Sequence, residues 1–458
     1  MGYDNHQNKM AAYRDKHSGP VCLWYSNTPQ RMPELRDFLS HQELPVALFE
    51  LFSWFEKYFI QCENFPPGKF PNKECVSQLI AEFVFNHPEG SHKRPNPLRE
   101  LRLLEELCHS LKEMQHKEED SEQSHHDRNQ DMRHVLFEGL FGCNPKQLNK
   151  VDEYRLEVLG KLVSLAISIK SVSVLECAAI WIYNQGFSPV CTTLVSRLVE
   201  DYCTLVPGSL GVLGDLVQVC PQFTSQFLTA VMYVFNSNTD KGAAILPESL
   251  LELVTTWVTD SPLLCIEHIT NRLPHVPSFY TPIKQQTHPD ILYLSNRGPI
   301  AGLVHCCVIA PLLSAQNGAM ESGNPLEEPS RGTKTGLMFS KLFLGVLQSM
   351  LYSQAELARL KYIRCPEMIT TESIKRMVQN VSKLIKLKHL PLQSEEVQMA
   401  LDRFAQAIQV ALATGVIHSS RDKLVNICSG LPENRLLHLV LHHKDNGKIA
   451  PGAMLQVG

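Results

Sequence analysis

The sequence predicts an all-α fold, an α-solenoid-like array of antiparallel helix pairs of the HEAT or ARM kind, with a disordered N-terminus and loops. Three observations support this prediction. Apolar residues recur at three- and four-residue spacings in most segments, alternating strand runs are nearly absent, and short turns with proline or glycine join the helical segments. No known repeat signature accompanies them, so the array is predicted as an architecture only.

The first predicted helix follows a polar N-terminus. Residues 1–40 have few apolar positions and are predicted to be disordered. The stretch "LPVALFELFSWFEKYF" (44–59) then places phenylalanines on helical spacings, and the prolines of "FPPGKFP" (65–71) end that helix. Two more helices are predicted in "ECVSQLIAEFVF" and "NPLRELRLLEELCHSL", where Pro97 suits the first turn.

The middle of the chain has the most regular helical pattern. Helices are predicted in "YRLEVLGKLVSLAISI", "SVLECAAIWIYNQG" and "PVCTTLVSRLVEDYCTLV", with Gly186 as a natural helix stop. Pro247 opens "PESLLELVTTWVTD", whose apolar residues share one face. Residues 41–313 are therefore predicted to be a helical repeat-like region, although 271–300 is rich in proline.

The rest of the chain alternates between loop-like and helical composition. Residues 314–336 are predicted to be a flexible loop, 337–440 a C-terminal helical region, and 441–458 a flexible tail. The charged run 112–134, "KEMQHKEEDSEQSHHDRNQDMRH", has almost no apolar residues. It is interpreted as a solvated helix extension or a flexible linker.

Composition excludes several classes of protein. A net charge of -4 with 20% charged residues gives no strong bias toward nucleic acid or anionic membranes. The N-terminus lacks an apolar signal region, no apolar segment is long enough to span a membrane, and His6 stands where myristoylation requires Ser or Thr. The 14 cysteines show no repeated spacing. They are predicted to be buried small apolar residues in a reducing compartment, as at Cys62, Cys108, Cys177, Cys220, Cys265 and Cys428.

The stretch "DYCTLVPGSLGVLG" (201–214) invites a functional interpretation because its glycines are spaced by three. A phosphate-binding loop would need a preceding strand and a Gly-Lys-Ser/Thr step, and a nucleophile elbow would need Gly-x-Ser-x-Gly. A joint between two helices is favoured instead. The first helix is predicted to end near Leu205, Pro207 blocks its continuation, and Ser209 can cap the next helix.

The triplet "HCC" (His305, Cys306, Cys307) could indicate a zinc site or a Cys–His pair. A tetrahedral site needs four ligands and no second cluster is present, so a buried helix segment is favoured. The histidines of "SHHDR" (124–128) lie in the charged run, where ligands would be poorly held.

The remaining charged motifs are interpreted structurally. Asp402–Arg403 and Arg421–Asp422 are predicted to form surface or helix-end salt bridges, or to cap a helix through Ser420 and Asp422. The basic stretches "SHKRPNP" and "KLIKLKH" are interpreted as solvated faces, so no direct nucleic-acid contact is predicted. The sequence thus predicts no catalytic residue, no cofactor and no metal site.

Nine segments spread in order from about Leu44 to Val440 form a specific set. The most distinctive is "DYCTLVPGS" (201–209). The others are "EFVF", "ELRLLEELC", "LGKLVS", "VLECAAIW", "LLELVTTW", "SKLFLGVLQ", "LDRFAQAIQVALATG" and "CSGLPENRLLHLV". Taken together, these segments resemble the Integrator complex subunit 15 family.

The resemblance implies a non-catalytic scaffold subunit of the nuclear Integrator complex. Such a subunit would bridge the peripheral module of subunits ten, thirteen and fourteen to the core. It would support processing of small nuclear RNA 3′ ends and attenuation or termination of transcription, with RNA polymerase II an indirect partner and no membrane involved. Two alternatives stay open: a cytoplasmic helical adaptor, and a thiol- or metal-dependent hydrolase using His305 with Cys306 or Cys307.

Overall fold

The all-α prediction is confirmed by a computed structural model of the chain, since the residues it describes form helices and no strand. These residues are 48, 51–52, 55, 84–85, 97–119, 126–142, 150–205, 210–237, 246–270, 298–315, 330–360, 362 and 365–442. The predicted disordered segment 1–40, Cys62 and residues 443–458 of the predicted tail lie outside them. Contacts divide the chain into two units, Met1–Leu198 and Val199–Gly458, which are taken separately below.

Within the residues described from Pro97 onward, the first unit contains four helices that all contact one another. They are α1 (Pro97–Glu119), α2 (His126–Phe141), α3 (Lys150–Ile169) and α4 (Val172–Gln185), followed by α5 (Pro189–Glu200), which runs past the unit boundary. Trp181 is fully buried among them, and its indole nitrogen donates to the Phe141 main-chain oxygen at 3.1 Å. Gly186 ends α4 at a positive φ of 57°, which confirms the predicted helix stop.

The charged run differs from the predicted solvated segment at its C-terminal end. Residues 112–119 belong to α1, residues 126–134 belong to α2, and 120–125 lie outside the described residues. Arg133 is 1% exposed and His134 5% exposed, so both are part of the core. Arg133 Nη1 lies 3.3 Å from Glu176 Oε2 on α4. This ion pair explains how the packing of α2 on α4 accommodates a buried guanidinium.

The second unit contains the following helices and helical turns among its described residues. They are a π-helical turn (Asp201–Leu205), α6 (Leu210–Gly214), α7 (Leu216–Val219), α8 (Pro221–Ser237), α9 (Glu248–Asp260), a 3₁₀ turn (Pro262–Ile266), α10 (Glu267–Thr270), α11 (Ile300–Ser314), α12 (Ser330–Arg359), α13 (Thr371–Leu387), α14 (Glu395–Thr414), α15 (Arg421–Cys428) and α16 (Arg435–His442).

The longer helices of this unit alternate between two layers. Contacts run from α8 through α11 and α13 to α15 in one layer, and from α9 through α12 and α14 to α16 in the other. Helix α11 contacts α12 and α14 across the layers. Antiparallel helix pairs stacked along an axis give this order of contacts, and the repeat-like array itself stays a prediction.

Local sequence signals explain where several helices begin and end. The hydroxyls of Thr370, Ser394 and Ser420 accept from main-chain N–H groups three residues on, which is N-capping, and the predicted cap at Ser420 is confirmed. Gly415 ends α14 in the left-handed region at φ 74°. Helix α9 opens directly after Pro247, as predicted, and buries the face that contains Trp257.

Helix α12 begins earlier than the sequence suggests. It starts at Ser330, whereas the helical region is predicted to resume at 337. Gly332 and Gly336 give this turn the composition of a loop because glycine disfavours helix. The turn is helical nonetheless. Lys334 Nζ lies 2.9 Å from Glu248 Oε1 at the start of α9, and the later turns of α12 are firmly packed.

Candidate functional site

The HCC triplet lies in α11, which is apolar on every side. His305, Cys306 and Cys307 are 4%, 8% and 0% exposed, so none of them faces solvent. Successive residues on a helix point about 100° apart, which directs the three side chains toward different neighbours. The Asn380 amide nitrogen on α13 donates to His305 Nε2 at 3.1 Å. The triplet is therefore a buried helix segment, as favoured from the sequence.

Burial leaves these groups in their neutral forms. It raises the pKa of the Cys306 thiol to about 12 and raises that of Cys307 well above its usual value. Burial, and next the positive charge of Arg376, lower the pKa of His305 to about 4. A thiol nucleophile needs a lowered pKa and a base that can accept its proton. This environment opposes both requirements.

Pro311 inside α11 creates a hydrogen-bonding gap that a side chain fills. Proline has no N–H, so the carbonyl of Cys307, four residues earlier, lacks its helical donor. Arg403 Nη1 on α14 donates to that carbonyl oxygen at 2.9 Å, and Arg403 Nη2 donates to Ser340 Oγ on α12 at 2.9 Å. The guanidinium carbon also lies 5.8 Å from the centre of the Phe343 ring. Arg403 thus joins α11, α12 and α14.

Other polar side chains also support α11 at its main chain. Lys388 Nζ donates to the carbonyls of Leu312 and Leu313 at 2.8 and 2.9 Å, which satisfies oxygens at the helix C-terminus. Near the other end, Asn236 Nδ2 donates to the Gly302 carbonyl at 2.9 Å. A Cβ on Gly302 would lie 2.7 Å from Met232 Cβ, so α8 and α11 pack closely there. These contacts hold a helix in place.

The glycine-containing stretch 201–214 is likewise helical where it is described. Asp201–Leu205 forms the π-helical turn after α5, and Gly211 and Gly214 lie within α6; residues 206–209, with Pro207, Gly208 and Ser209, are outside the described part. Trp257 Nε1 donates to the Gly214 carbonyl at 3.3 Å. The helix before this stretch confirms that the strand required by a phosphate-binding loop is missing there.

The other charged motifs have mixed outcomes. The surface salt bridge predicted for Asp402–Arg403 is wrong, because Arg403 is buried in the α11 contact and Asp402 Oδ1 accepts from Asn434 at 2.8 Å. Arg421 Nη1 donates to the Val440 carbonyl at 2.6 Å and so joins α15 to α16. The side chains of "SHHDR" and residues 91–96 of "SHKRPNP" lie outside the described residues. In "KLIKLKH", Lys383 and Lys386 are exposed, as predicted, whereas Lys388 is half-buried and donates to main-chain oxygens of α11.

No group of three His, Cys, Asp or Glu side chains that could hold a metal occurs in the part of the chain that the structure describes. All ten described cysteines are free thiols; eight are buried, while Cys203 and Cys365 are half-buried. This agrees with the prediction of buried apolar cysteines at Cys108, Cys177, Cys220, Cys265 and Cys428. Among the helices described, none combines the length and apolar run needed to cross a bilayer.

The most unusual surface feature is a line of exposed leucines on α12. Leu337, Leu344 and Leu351, here called the α12 leucine stripe, are 71%, 64% and 52% exposed. They follow one another at seven-residue intervals, which places them in line along one face of the helix. The opposite face buries Phe339, Leu342, Val346 and Met350. Helix α12 thus carries apolar residues on two opposite faces. Among the described residues, the face of Phe339 packs in the core, and the face of the α12 leucine stripe is exposed.

A family model described as Integrator complex subunit 15 matches residues 33–433, most of the length of the chain. The chain belongs to the Integrator complex subunit 15 family. This membership confirms the resemblance drawn from the ordered segments between Leu44 and Val440.

Individual proteins of this family are similar over 81–90% of this chain. Integrator complex subunit 15 of Homo sapiens is 33% identical over 424 residues, which cover 90% of this chain and 87% of the human protein. The Danio rerio protein is 34% identical over 83% of this chain and 74% of its own length. The Drosophila melanogaster protein is 23% identical over 81% of this chain and 89% of its own length.

The α12 leucine stripe was not singled out from the sequence, although "LMFSKLFLGVLQSML" contains both sets of apolar residues. Its seven-residue leucine spacing is the signal that could have found it. The sequence alone does not show which of two apolar faces the fold uses.

Proposed function

We propose that this chain is a non-catalytic scaffold subunit of the nuclear Integrator complex. In this role it bridges the peripheral module of subunits ten, thirteen and fourteen to the core of the assembly. It thereby supports small nuclear RNA 3′-end processing and the attenuation and termination of transcription, and it meets RNA polymerase II through the other subunits.

The match of residues 33–433 to the Integrator complex subunit 15 family is the observation that carries this proposal. Relatives from vertebrates and from an insect bear the same subunit name over most of this chain. The structure adds physical support, because the strongest catalytic candidates, Cys306 and Cys307, are buried and protonated. The polar side chains that reach α11, Lys388 and Arg403, donate hydrogen bonds to its main-chain oxygens.

Affinity purification of the tagged full-length chain from nuclear extract tests this function. We expect quantitative mass spectrometry to recover Integrator subunits, with subunits ten, thirteen and fourteen enriched together with core subunits. Depletion of the chain should separate the peripheral module from the core while each remains assembled. Recovery of no Integrator subunit, together with a cytoplasmic location of the tagged chain, would instead favour the helical adaptor.

A further inference from the structure

The α12 leucine stripe is an apolar line about 21 Å long, since Leu351 lies fourteen residues after Leu337 and each step along the helix rises about 1.5 Å. Its three leucines are more than half exposed, whereas the reverse face of the same helix is core. Exposed Lys341 and Gln348 lie on the same face, four residues after Leu337 and Leu344, and exposed Tyr352 and Ala355 adjoin its C-terminal end. Large side chains exposed in a row on a firmly packed helix are typical of a contact surface.

We propose that the α12 leucine stripe is the docking face for an amphipathic helix of another Integrator subunit, and that this helix presents basic residues along the border that faces α9. This inference rests on the proposed function and assigns it a surface. The partner helix would carry apolar residues at heptad spacing, which interdigitate with Leu337, Leu344 and Leu351.

The spacing of the stripe favours a helix as the occupant. Leucines seven residues apart stand about 10.5 Å from one another along α12, which is two helical turns. A helix laid alongside repeats its own apolar face at the same interval and can meet every leucine. An extended strand repeats its side chains about every 7 Å on one face, so it would fall out of step within one interval.

The charged residues of α9 indicate which charged residues the partner helix should carry along the border that faces α9. Helix α9 runs beside α12 in the same direction, because Lys334 pairs with Glu248 at 2.9 Å and a Cβ on Gly345 would lie 3.1 Å from Thr259 Cγ2. Exposed Glu252 and Asp260 therefore lie along the middle of α12.

The carboxylates Glu248, Glu252 and Asp260 on the α9 side of the stripe are here called the acidic border. The cations of α12 neutralise only part of its negative charge. Lys334 pairs with Glu248, and that contact raises the pKa of Lys334. Between positions 334 and 345, α12 adds one exposed cation, Lys341, whereas the matching length of α9 adds two exposed carboxylates, Glu252 and Asp260. Glu252 also helps to raise the pKa of Lys334. The border keeps a net negative charge, which lysine or arginine on the partner helix would complement.

The same border argues against an antiparallel pairing of α12 with α12 of a second copy of this chain. In an antiparallel two-fold pairing of α12 helices, the α9 border of one copy faces the α9 border of the other. Glu252 and Asp260 would then meet like charges. The stripe, roughly 10 Å wide, offers on the order of 200 Å², far below the about 800 Å² per partner of a stable protein–protein interface. A dimer formed through the stripe alone would have only this contact, whereas the subunits of an assembly are also held by their other interfaces. The stripe is wide enough for a single helix.

Substitution of the stripe in the tagged full-length chain tests this proposal. The triple variant Leu337→Gln, Leu344→Gln, Leu351→Gln is expected to lower the recovery of at least one Integrator subunit about tenfold or more. The matched control is Leu387→Gln, Leu392→Gln, Leu439→Gln, whose leucines are 59%, 55% and 56% exposed on other elements of the unit. It should leave recovery within about twofold, and both variants should melt like the wild type, because the substituted leucines are exposed.

Charge reversal and cross-linking then identify the occupant. Glu252→Lys with Asp260→Lys should reduce the recovery of the same subunit that the triple variant loses. A photoactivatable amino acid at position 344 should cross-link to a segment of that subunit with apolar residues at heptad spacing and nearby lysine or arginine. Cross-links to another copy of this chain, or only to its own residues, would overturn the proposal.

The outcomes separate this inference from the function on which it rests. If the wild-type chain recovers no Integrator subunit, the proposed function is wrong, and the assigned partner class is wrong with it. If the wild type recovers the complex and the triple variant recovers it equally well, only the docking face is wrong. A control variant that loses the same subunit to the same degree would also reject the stripe as the specific contact.

Discussion

Arg403 donates a hydrogen bond of 2.9 Å to the main-chain oxygen of Cys307, which has no helical donor because Pro311 lacks an N–H. The two residues are 96 positions apart. A buried guanidinium is costly unless its donors are used, and here one donor completes a helix while another reaches Ser340. The proline therefore gives a physical reason for the buried arginine.

Replacing Arg403 with methionine should destabilise the protein by about 2–3 kcal/mol. The variant keeps an apolar stem but leaves the Cys307 carbonyl without a donor, and a hydrogen bond from a charged group contributes about that much. Urea denaturation of wild type and variant measures the difference in the free energy of unfolding.

Pro311→Ala provides the control for this interpretation. Alanine supplies the missing N–H, so Arg403→Met should cost at least about 1 kcal/mol less in the Pro311→Ala background than in the wild type. An equal cost in both backgrounds would show that Arg403 acts through packing on Phe343 or through Ser340, and not through the carbonyl of Cys307.

Stability should fall as the pH drops from about 6.5 toward 4, with His305 contributing. Burial first, and then Arg376, lower the pKa of His305 to about 4. Between these pH values the His305 imidazole is protonated in the unfolded chain but neutral in the folded chain. The stability that this group contributes above pH 6.5 is therefore lost on acidification. For this one group the loss at pH 5 is about 2 kcal/mol.

The His305→Gln variant isolates this contribution, since glutamine does not titrate and can accept from Asn380. Its free energy of unfolding should change less between pH 7.5 and pH 5 than that of the wild type, by about 2 kcal/mol. His268, whose pKa burial also lowers to about 4, is present in both proteins and cancels in the comparison. Parallel pH curves for the two proteins would contradict the assignment to His305.

Two glycine-to-alanine changes should have opposite signs. A Cβ on Gly302 would lie 2.7 Å from Met232 Cβ, so Gly302→Ala must push α8 and α11 apart and should cost about 1–3 kcal/mol. Nothing lies within 4 Å of a Cβ on Gly336, where alanine should stabilise α12 by about 0.5–1 kcal/mol. Thermal melting compares them, and a destabilised Gly336→Ala protein would contradict the helix at that turn.

The buried thiols should resist alkylation in the native protein. With the pKa of Cys306 at about 12, its thiolate is about a thousandfold scarcer near neutral pH than at an ordinary cysteine. Iodoacetamide labelling followed by mass spectrometry should modify Cys306 and Cys307 quickly only after unfolding, and half-buried Cys203 sooner than either. Rapid native labelling at Cys306 or Cys307 would revive the hydrolase alternative.

Much of the helical architecture could be predicted from periodicity and turn residues. Gly186, Pro247 and Ser420 mark helix boundaries because each constrains or satisfies the main chain locally. The early start of α12 was missed because the loop-like composition around Gly336 hides a turn held by contacts distant in sequence. Boundaries that depend on such contacts leave no local signal.

The surroundings of the HCC triplet were predictable only in part. An apolar neighbourhood correctly predicts a buried helix, but the partner of Pro311 cannot be inferred from residues near Pro311. Arg403 beside Asp402 looks like half of a surface salt bridge until α14 is placed against α11. The sequence also does not reveal the α12 leucine stripe. Buried leucines such as Leu342 and exposed leucines such as Leu344 belong to the same helical pattern and look alike in the sequence.

The distance along the chain between Cys307 and Arg403 also has a consequence during synthesis on the ribosome. Helix α11 is synthesised well before α14, and at about 5–20 residues per second the delay between Cys307 and Arg403 is roughly 5–20 s. During this time α14 has not been synthesised. The Cys307 carbonyl therefore lacks its donor Arg403, and the apolar surface of α11 that packs against α14 is uncovered. We expect chaperones to bind the nascent chain most readily during this interval, because the apolar surface of α11 is then exposed.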